Sequence, residues 1–170
     1  LARGIQRMDI PAYEGGERRL SSITRCVESR FDGFAVEVVT ERPAGGDYIT
    51  VHLGGDPSLI GREKTTRGLA PLTGRPIPNA PVFVFTHGQP SVTELCDAAA
   101  HEVGHALGLD HSRLCDDIMS YGSCGPKRFR DEAAACGDYD DRECEDGTAQ
   151  QNSAARLREH VAHDHDHRVS

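Results

Sequence analysis

The apolar positions of this chain fall into short, separated groups, and each group carries its own period. In residues 21–31, Ile23, Val27 and Phe31 recur at i, i+4 and i+8, which places them on one face of an amphipathic helix. Residues 34–39 alternate in part and are β-branched, and Tyr48–Leu53 (YITVHL) has the same character, so both are expected as strands. Gly54-Gly55-Asp56-Pro57 stops the second strand with turn residues. Residues 61–81 are rich in Gly, Pro, Thr and Arg and are expected as a long surface loop. Val82, Phe83, Val84 and Phe85 then form a short, fully apolar strand.

The next segment is signposted as a helix at its start. Ser91-Val92-Thr93-Glu94 has the form of a capping box, with Ser91 as N-cap and Glu94 returning to its backbone. Asp97-Ala98-Ala99-Ala100 continues with mostly good helix formers, and the helix is expected over about 92–107. Further on, residues 129–136 (FRDEAAAC) are expected as a helical turn and 137–147 (GDYDDRECEDG) as an acidic loop. Residues 151–161 form a last helix, with Ala154, Leu157 and Val161 at i, i+3 and i+7. Residues 1–20 read as an extended polar arm, and the His/Asp-rich tail 163–170 as disordered, with no catalytic role.

The capped helix carries the chemistry. Its sequence runs His101-Glu102-Val103-Gly104-His105-Ala106-Leu107-Gly108-Leu109-Asp110-His111, that is, H-E-x-x-H-x-x-G-x-x-H. His101 and His105 are one turn apart on one helix face and suit a shared metal ion. Glu102 adjoins the first histidine, where it reaches a metal-bound water without being a ligand. Gly108 tolerates positive φ and ends the helix, so the chain can return His111 as a third ligand. Three protein ligands leave the fourth zinc position open, the pattern of a catalytic rather than a structural site.

This motif resembles that of the metzincin metallopeptidases, and a methionine turn of the kind found in that clan follows at Asp117-Ile118-Met119-Ser120-Tyr121-Gly122. The stretch HEVGHALGLDHS and the short spacing to Met119 resemble matrixins, whereas Met-x-Tyr resembles astacins and serralysins. The chain departs from each: it has no His- and Asp-rich segment upstream for further metals, His52 and His87 are isolated, and Ser112 stands where astacins have a glutamate. The resemblance therefore extends to the clan and to no single family within it. It implies an α+β catalytic domain with a twisted mixed sheet, an antiparallel strand at the cleft edge, an active-site helix and a small C-terminal subdomain. One domain is expected over 1–162, with the upper part at about 1–108 and the lower at about 109–162. The resemblance also implies that Met119 lies beneath the metal. Tyr121 then serves as a further zinc ligand or an oxyanion donor. By position, Val82, Phe83, Val84 and Phe85 are the cleft-edge strand that pairs with substrate backbone.

Composition narrows the setting. A chain of 170 residues makes one domain. Its apolar fraction of 37% and lack of Trp leave a modest core, which six cysteines can staple. No C-x-x-C spacing supports cysteine–zinc binding. Six cysteines allow 15 pairings. The expected set is Cys115–Cys124 around the methionine turn, Cys136–Cys144 nearby, and Cys26–Cys96 tying the first helix to the metal helix. The net charge of −8 argues against nucleic acid. No apolar run approaches the ~20 residues of a membrane span, and the first ten residues do not resemble a signal peptide. The expectation is a secreted monomer, its export signal and any pro-segment removed, acting on protein or peptide substrates. One catalytic Zn2+ is expected. Carboxylates in 137–147 suit Ca2+, but their spacing matches no EF-hand loop, and a solvated loop is the favoured reading. The activity expected is endopeptidase hydrolysis by Glu102-assisted attack of a zinc-bound water. The alternatives are a zinc hydrolase with a narrow, non-proteolytic substrate and a disulfide-stapled binding module. Glu102 speaks against the module, because a structural zinc needs no base.

Overall fold

The computed structural model describes residues 9–162 and the backbone of 167–169. Two helices form the centre of the upper part. Helix α1 spans Glu17–Arg30 and α2 spans Val92–Ala106. Ile23, Val27 and Phe31 are buried as their spacing predicts, in one cluster with Leu95, Ala99 and Val103 of α2. Cys26 and Cys96 join the two helices, with their Cα atoms 5.8 Å apart. Helix α1 begins four residues earlier than its apolar pattern does. Glu17-Arg18-Arg19 adds no apolar face, but these are adequate helix formers, and the Leu20 amide bonds the Gly16 carbonyl at 3.1 Å.

Strands β1 (Val36–Val38), β2 (Tyr48–Leu53), β3 (Gly68–Leu69), β4 (Pro81–Val84) and β7 (His167–Val169) form a five-stranded sheet in the order β1-β7-β2-β4-β3. β4 runs parallel to β2 and antiparallel to β3, so β3 is the antiparallel strand at the sheet's edge. This corrects the expectation for Val82, Phe83, Val84 and Phe85. That run is an interior strand, paired on both sides, with Val82 and Val84 fully buried. Its apolar character reflects that burial on two faces. The edge strand comes instead from within 61–81, expected as loop throughout. A two-residue strand containing glycine has no periodicity to read. It exists because β4 offers it a partner, as in the 2.9 Å bond from the Phe85 amide to the Arg67 carbonyl.

The lower part holds a hairpin-like pair, β5 (Ala133–Ala135) with β6 (Gln150–Asn152), followed by α3 (Ser153–Ala162). Residues 129–136 are thus not a helical turn. The alanines favour helix intrinsically, but their backbone groups are taken by β6 and by the Arg113 amide, which bonds the Ala135 carbonyl at 3.1 Å. Ala154, Leu157 and Val161 are buried on α3 as expected. Cys115–Cys124 and Cys136–Cys144 are both formed, so all three expected pairings are present. The tail also differs from expectation: His167–Val169 lies as a strand between β1 and β2. Residues 1–8, 163–166 and 170, which include most of the expected arm's start and of the expected tail, lie outside the described residues.

Candidate active site

The site is built on α2. The Ser91 hydroxyl accepts the Glu94 amide at 3.2 Å and the Glu94 carboxylate accepts the Ser91 amide at 2.7 Å, closing the capping box. The helix then runs to Ala106, and Gly108 adopts φ +87°. A side chain at Gly108 would stand 2.7 Å from the Arg75 carbonyl carbon, so both conformation and space demand glycine. The turn brings His111 back to His101 and His105, with one ligand atom from each within 4.8 Å of the others.

The outward nitrogens set the chemistry of the inward ones. His101 Nδ1 lies 2.9 Å from the Ile118 carbonyl and His105 Nδ1 lies 2.8 Å from the Leu109 carbonyl. His111 Nδ1 bonds the Asp138 carboxylate. Carbonyls and carboxylates only accept, so each Nδ1 donates and each Nε2 carries a lone pair. Nε2 of His105 and of His111 face each other at 3.0 Å. Two lone pairs at that distance repel unless a cation lies between them, so the donor set fits zinc. Burial, and then the neighbouring His105, hold His101 well below its ordinary pKa. Burial, and then the neighbouring His111, hold His105 down to about 4. Both imidazoles are therefore neutral and free to ligate near neutral pH.

Glu102 is buried beside them, and burial pushes its carboxyl up to about 8. Its carboxylate lies against the edge strand, where a Cβ at Gly68 would collide with it. Met119 is fully buried below α2, its amide bonded to Asp117 Oδ1 at 2.9 Å and its carbonyl to the Ser112 amide at 2.9 Å. Tyr121 is half-exposed, its ring centroid 4.5 Å from that of His111 and 5.7 Å from that of His101. Burial, then Asp138, Glu102 and Tyr139, push its hydroxyl up to about 12. A cleft of about 720 Å³ joins the edge strand, α2 and the methionine turn.

Val82, Phe83, Val84 and Phe85 do not line this cleft; Thr65, Thr66, Arg67 and Gly68 do. Three residues not singled out from sequence also belong here. Gly104 admits Met119. Lys127 reaches the cleft and donates to the Ser120 carbonyl, with burial holding its ammonium below the ordinary lysine value. Asp138 meets His111 from the acidic loop. Two other carboxylates of that loop are also paired: Asp141 with Arg113 at 3.1 Å and Asp146 with Arg156 at 2.8 Å. Asp110, Cys136 and Cys144 also lie close together, but both sulfurs are in a disulfide and Asp110 is paired with Arg142. That trio therefore has no thiolate to offer a metal.

Two helix-borne imidazoles completed by a third beyond a glycine turn, over a methionine turn, set this α+β fold among the metzincin-type metallopeptidases. The match to known families narrows the class further: the matrixin model (Peptidase_M10) covers residues 34–132, more than half of the chain, and the chain belongs to that family. Comparison with curated proteins and with solved structures finds no match. Membership carries a zinc metallopeptidase kind of function, and the matched residues include all three histidines, Glu102, Met119 and Tyr121. No helix among the described residues is long and apolar enough to cross a membrane.

Proposed function

We propose that this protein is a zinc endopeptidase that cuts extended protein or peptide chains outside the cell. The observation that carries the reading is the buried Glu102 carboxyl, lying beside the three converging imidazoles and against the sheet's edge strand. Bound zinc supplies a Lewis acid that polarises the scissile carbonyl and acidifies water. Nε2 of His101, His105 and His111 would hold it.

Glu102 takes the proton from the attacking water and passes it to the departing amine. Its position against the edge strand and beside the histidines lets one carboxyl serve both transfers. Tyr121 keeps its proton at neutral pH and donates a hydrogen bond to the oxyanion as it forms. The outer side of β3 offers its backbone groups to an extended peptide, with Gly68 allowing the close approach to Glu102. Three disulfides accord with an oxidising, extracellular setting.

Purified protein, loaded with zinc, is tested on an unfolded protein and on a peptide library beside Glu102→Ala. The parent cleaves internal bonds. The variant binds zinc equally and loses roughly 10²–10⁴ in turnover, the range for a general acid–base. An active Glu102→Ala enzyme refutes the mechanism, and a parent that removes only terminal residues refutes the endopeptidase reading. Tyr121→Phe lowers turnover more than substrate affinity; unchanged kinetics would return Tyr121 to a packing role.

A further inference from the structure

We propose that Asp138 is the positioning residue of the third histidine, and that the loop closed by Cys136–Cys144 is built to hold His111 for the metal. This rests on the reading of the three histidines as a zinc site. His101 and His105 are fixed twice, by the helix that bears them and by main-chain carbonyls at Nδ1. His111 lies beyond the helix and has no carbonyl at that position. Its Nδ1 donates to the Asp138 carboxylate, 27 residues along the chain. A carboxylate there does what a carbonyl does for orientation, and it also makes the imidazole a stronger donor to the metal.

The loop is held at this distance by a set of bonds that a solvated acidic segment would not need. The Gly137 amide bonds the His111 carbonyl at 3.2 Å. Arg113 donates to the Asp138 carbonyl at 3.3 Å and to Asp141 at 3.1 Å. Arg142 grips the buried Asp110 through both carboxylate oxygens, at 2.6 and 2.7 Å, and the Glu145 amide adds a third bond at 2.8 Å. Each tie joins residues 110–113 to the disulfide-closed loop or to the residue just after it. Gly137 adopts φ +135°, and a side chain there would collide with the Asp140 carbonyl, so the loop's path next to Asp138 is specific to glycine. The whole loop lies beyond residue 132, where the match to the matrixin model ends. The holder is thus a feature of this chain's own lower part.

The test measures zinc affinity by competition with a chromophoric chelator for the parent, Asp138→Ala, Asp138→Asn and Asp140→Asn. Asp138→Ala weakens zinc roughly 10–100-fold, the usual cost of losing such a partner. Asp138→Asn falls between it and the parent, because the amide oxygen still accepts from Nδ1 but carries no charge. Asp140→Asn removes the same charge from the same loop at an exposed side chain that takes no part in these ties, and stays close to the parent. In zinc-saturated samples, the ¹⁵N signals of the His111 ring move in Asp138→Ala while those of His101 and His105 do not. The metal-free variants melt with the parent. Parent-like zinc affinity in Asp138→Ala overturns the proposal, as does an equal loss in Asp140→Asn, which would reduce the effect to bulk charge. A parent that binds no zinc at the three histidines overturns the zinc reading itself.

Discussion

Gly104 is the floor against which Met119 rests: a Cβ at Gly104 would stand 2.5 Å from Met119 Sδ. The position inside H-E-x-x-H that looks free to vary is therefore fully used in this chain. The helix must present bare backbone there so that the methionine turn can come up beneath the histidines. The same turn supplies the Ile118 carbonyl that orients His101, so displacing Met119 disturbs a ligand as well as the core.

Gly104→Ala follows from that contact. Overpacking at a fully buried site costs roughly 1–3 kcal/mol, and the turn shifts with Met119. Thermal unfolding and zinc affinity of the purified variant both fall. A normal melting temperature with parental zinc binding would show that the turn yields without cost.

Gly108→Ala is expected to do more local damage. The new side chain meets strained φ and the Arg75 backbone together. Left-handed strain alone costs on the order of 1–3 kcal/mol, and relief of the clash moves His111. Zinc affinity drops further than the change in melting temperature would suggest. A variant that loses stability but retains zinc would separate the turn from the ligand.

The metal-free protein has a pH dependence with two opposed arms. His105, lowered from 6.5 to about 4, is neutral in the fold and takes up protons on unfolding. Its contribution is complete above pH 6.5 and is lost as the pH falls toward 4. Glu102, raised from 4.5 to about 8, acts the other way. Its contribution is complete below 4.5 and is lost as the pH rises toward 8. Glu102→Gln removes the second arm only. The melting temperature of metal-free Glu102→Gln, relative to the metal-free parent, therefore climbs between pH 5 and pH 8. A constant difference across that range would mean that Glu102 is solvated.

Cys26–Cys96 spans 70 residues and joins α1 to the helix that carries two ligands. Serine at both positions removes a long constraint on the unfolded chain, worth roughly 2–5 kcal/mol. Denaturant unfolding measures the loss. Zinc-loaded enzyme below the transition keeps its activity, because neither sulfur lines the cleft. Inactivity of a variant that is still folded would give the bridge a role in shaping α2.

Local signals were legible wherever the chemistry lies within one or two turns of chain. The capping box, the i, i+4 histidines and the glycine turn each act through neighbours a few residues away, so Ser91, Glu94, His101, His105 and Gly108 can be read directly. Tyr48–Leu53 was equally plain, because its β-branched run is long enough to have a character. The even cysteine count and short separations pointed to the two lower disulfides, and Cys26–Cys96 was the pair that remained.

What the amino acids pointed to alone is the candidate donor set and base and the helix that bears them, because these follow from periodicity, propensity and side-chain chemistry; the α+β class came with the family resemblance that those residues carry. Which strand borders the cleft was decided by the tertiary structure. An apolar run such as Val82–Phe85 records that it is buried but not how many strands flank it, and Gly68–Leu69 becomes a strand only when β4 lies alongside. The three alanines at 133–135 gave up their helical preference for the same reason, since partners distant in sequence claimed their backbone. Asp138 belongs to this second group: in sequence it is one carboxylate among many in an acidic stretch, and only the folding of residues 110–145 brings it to His111.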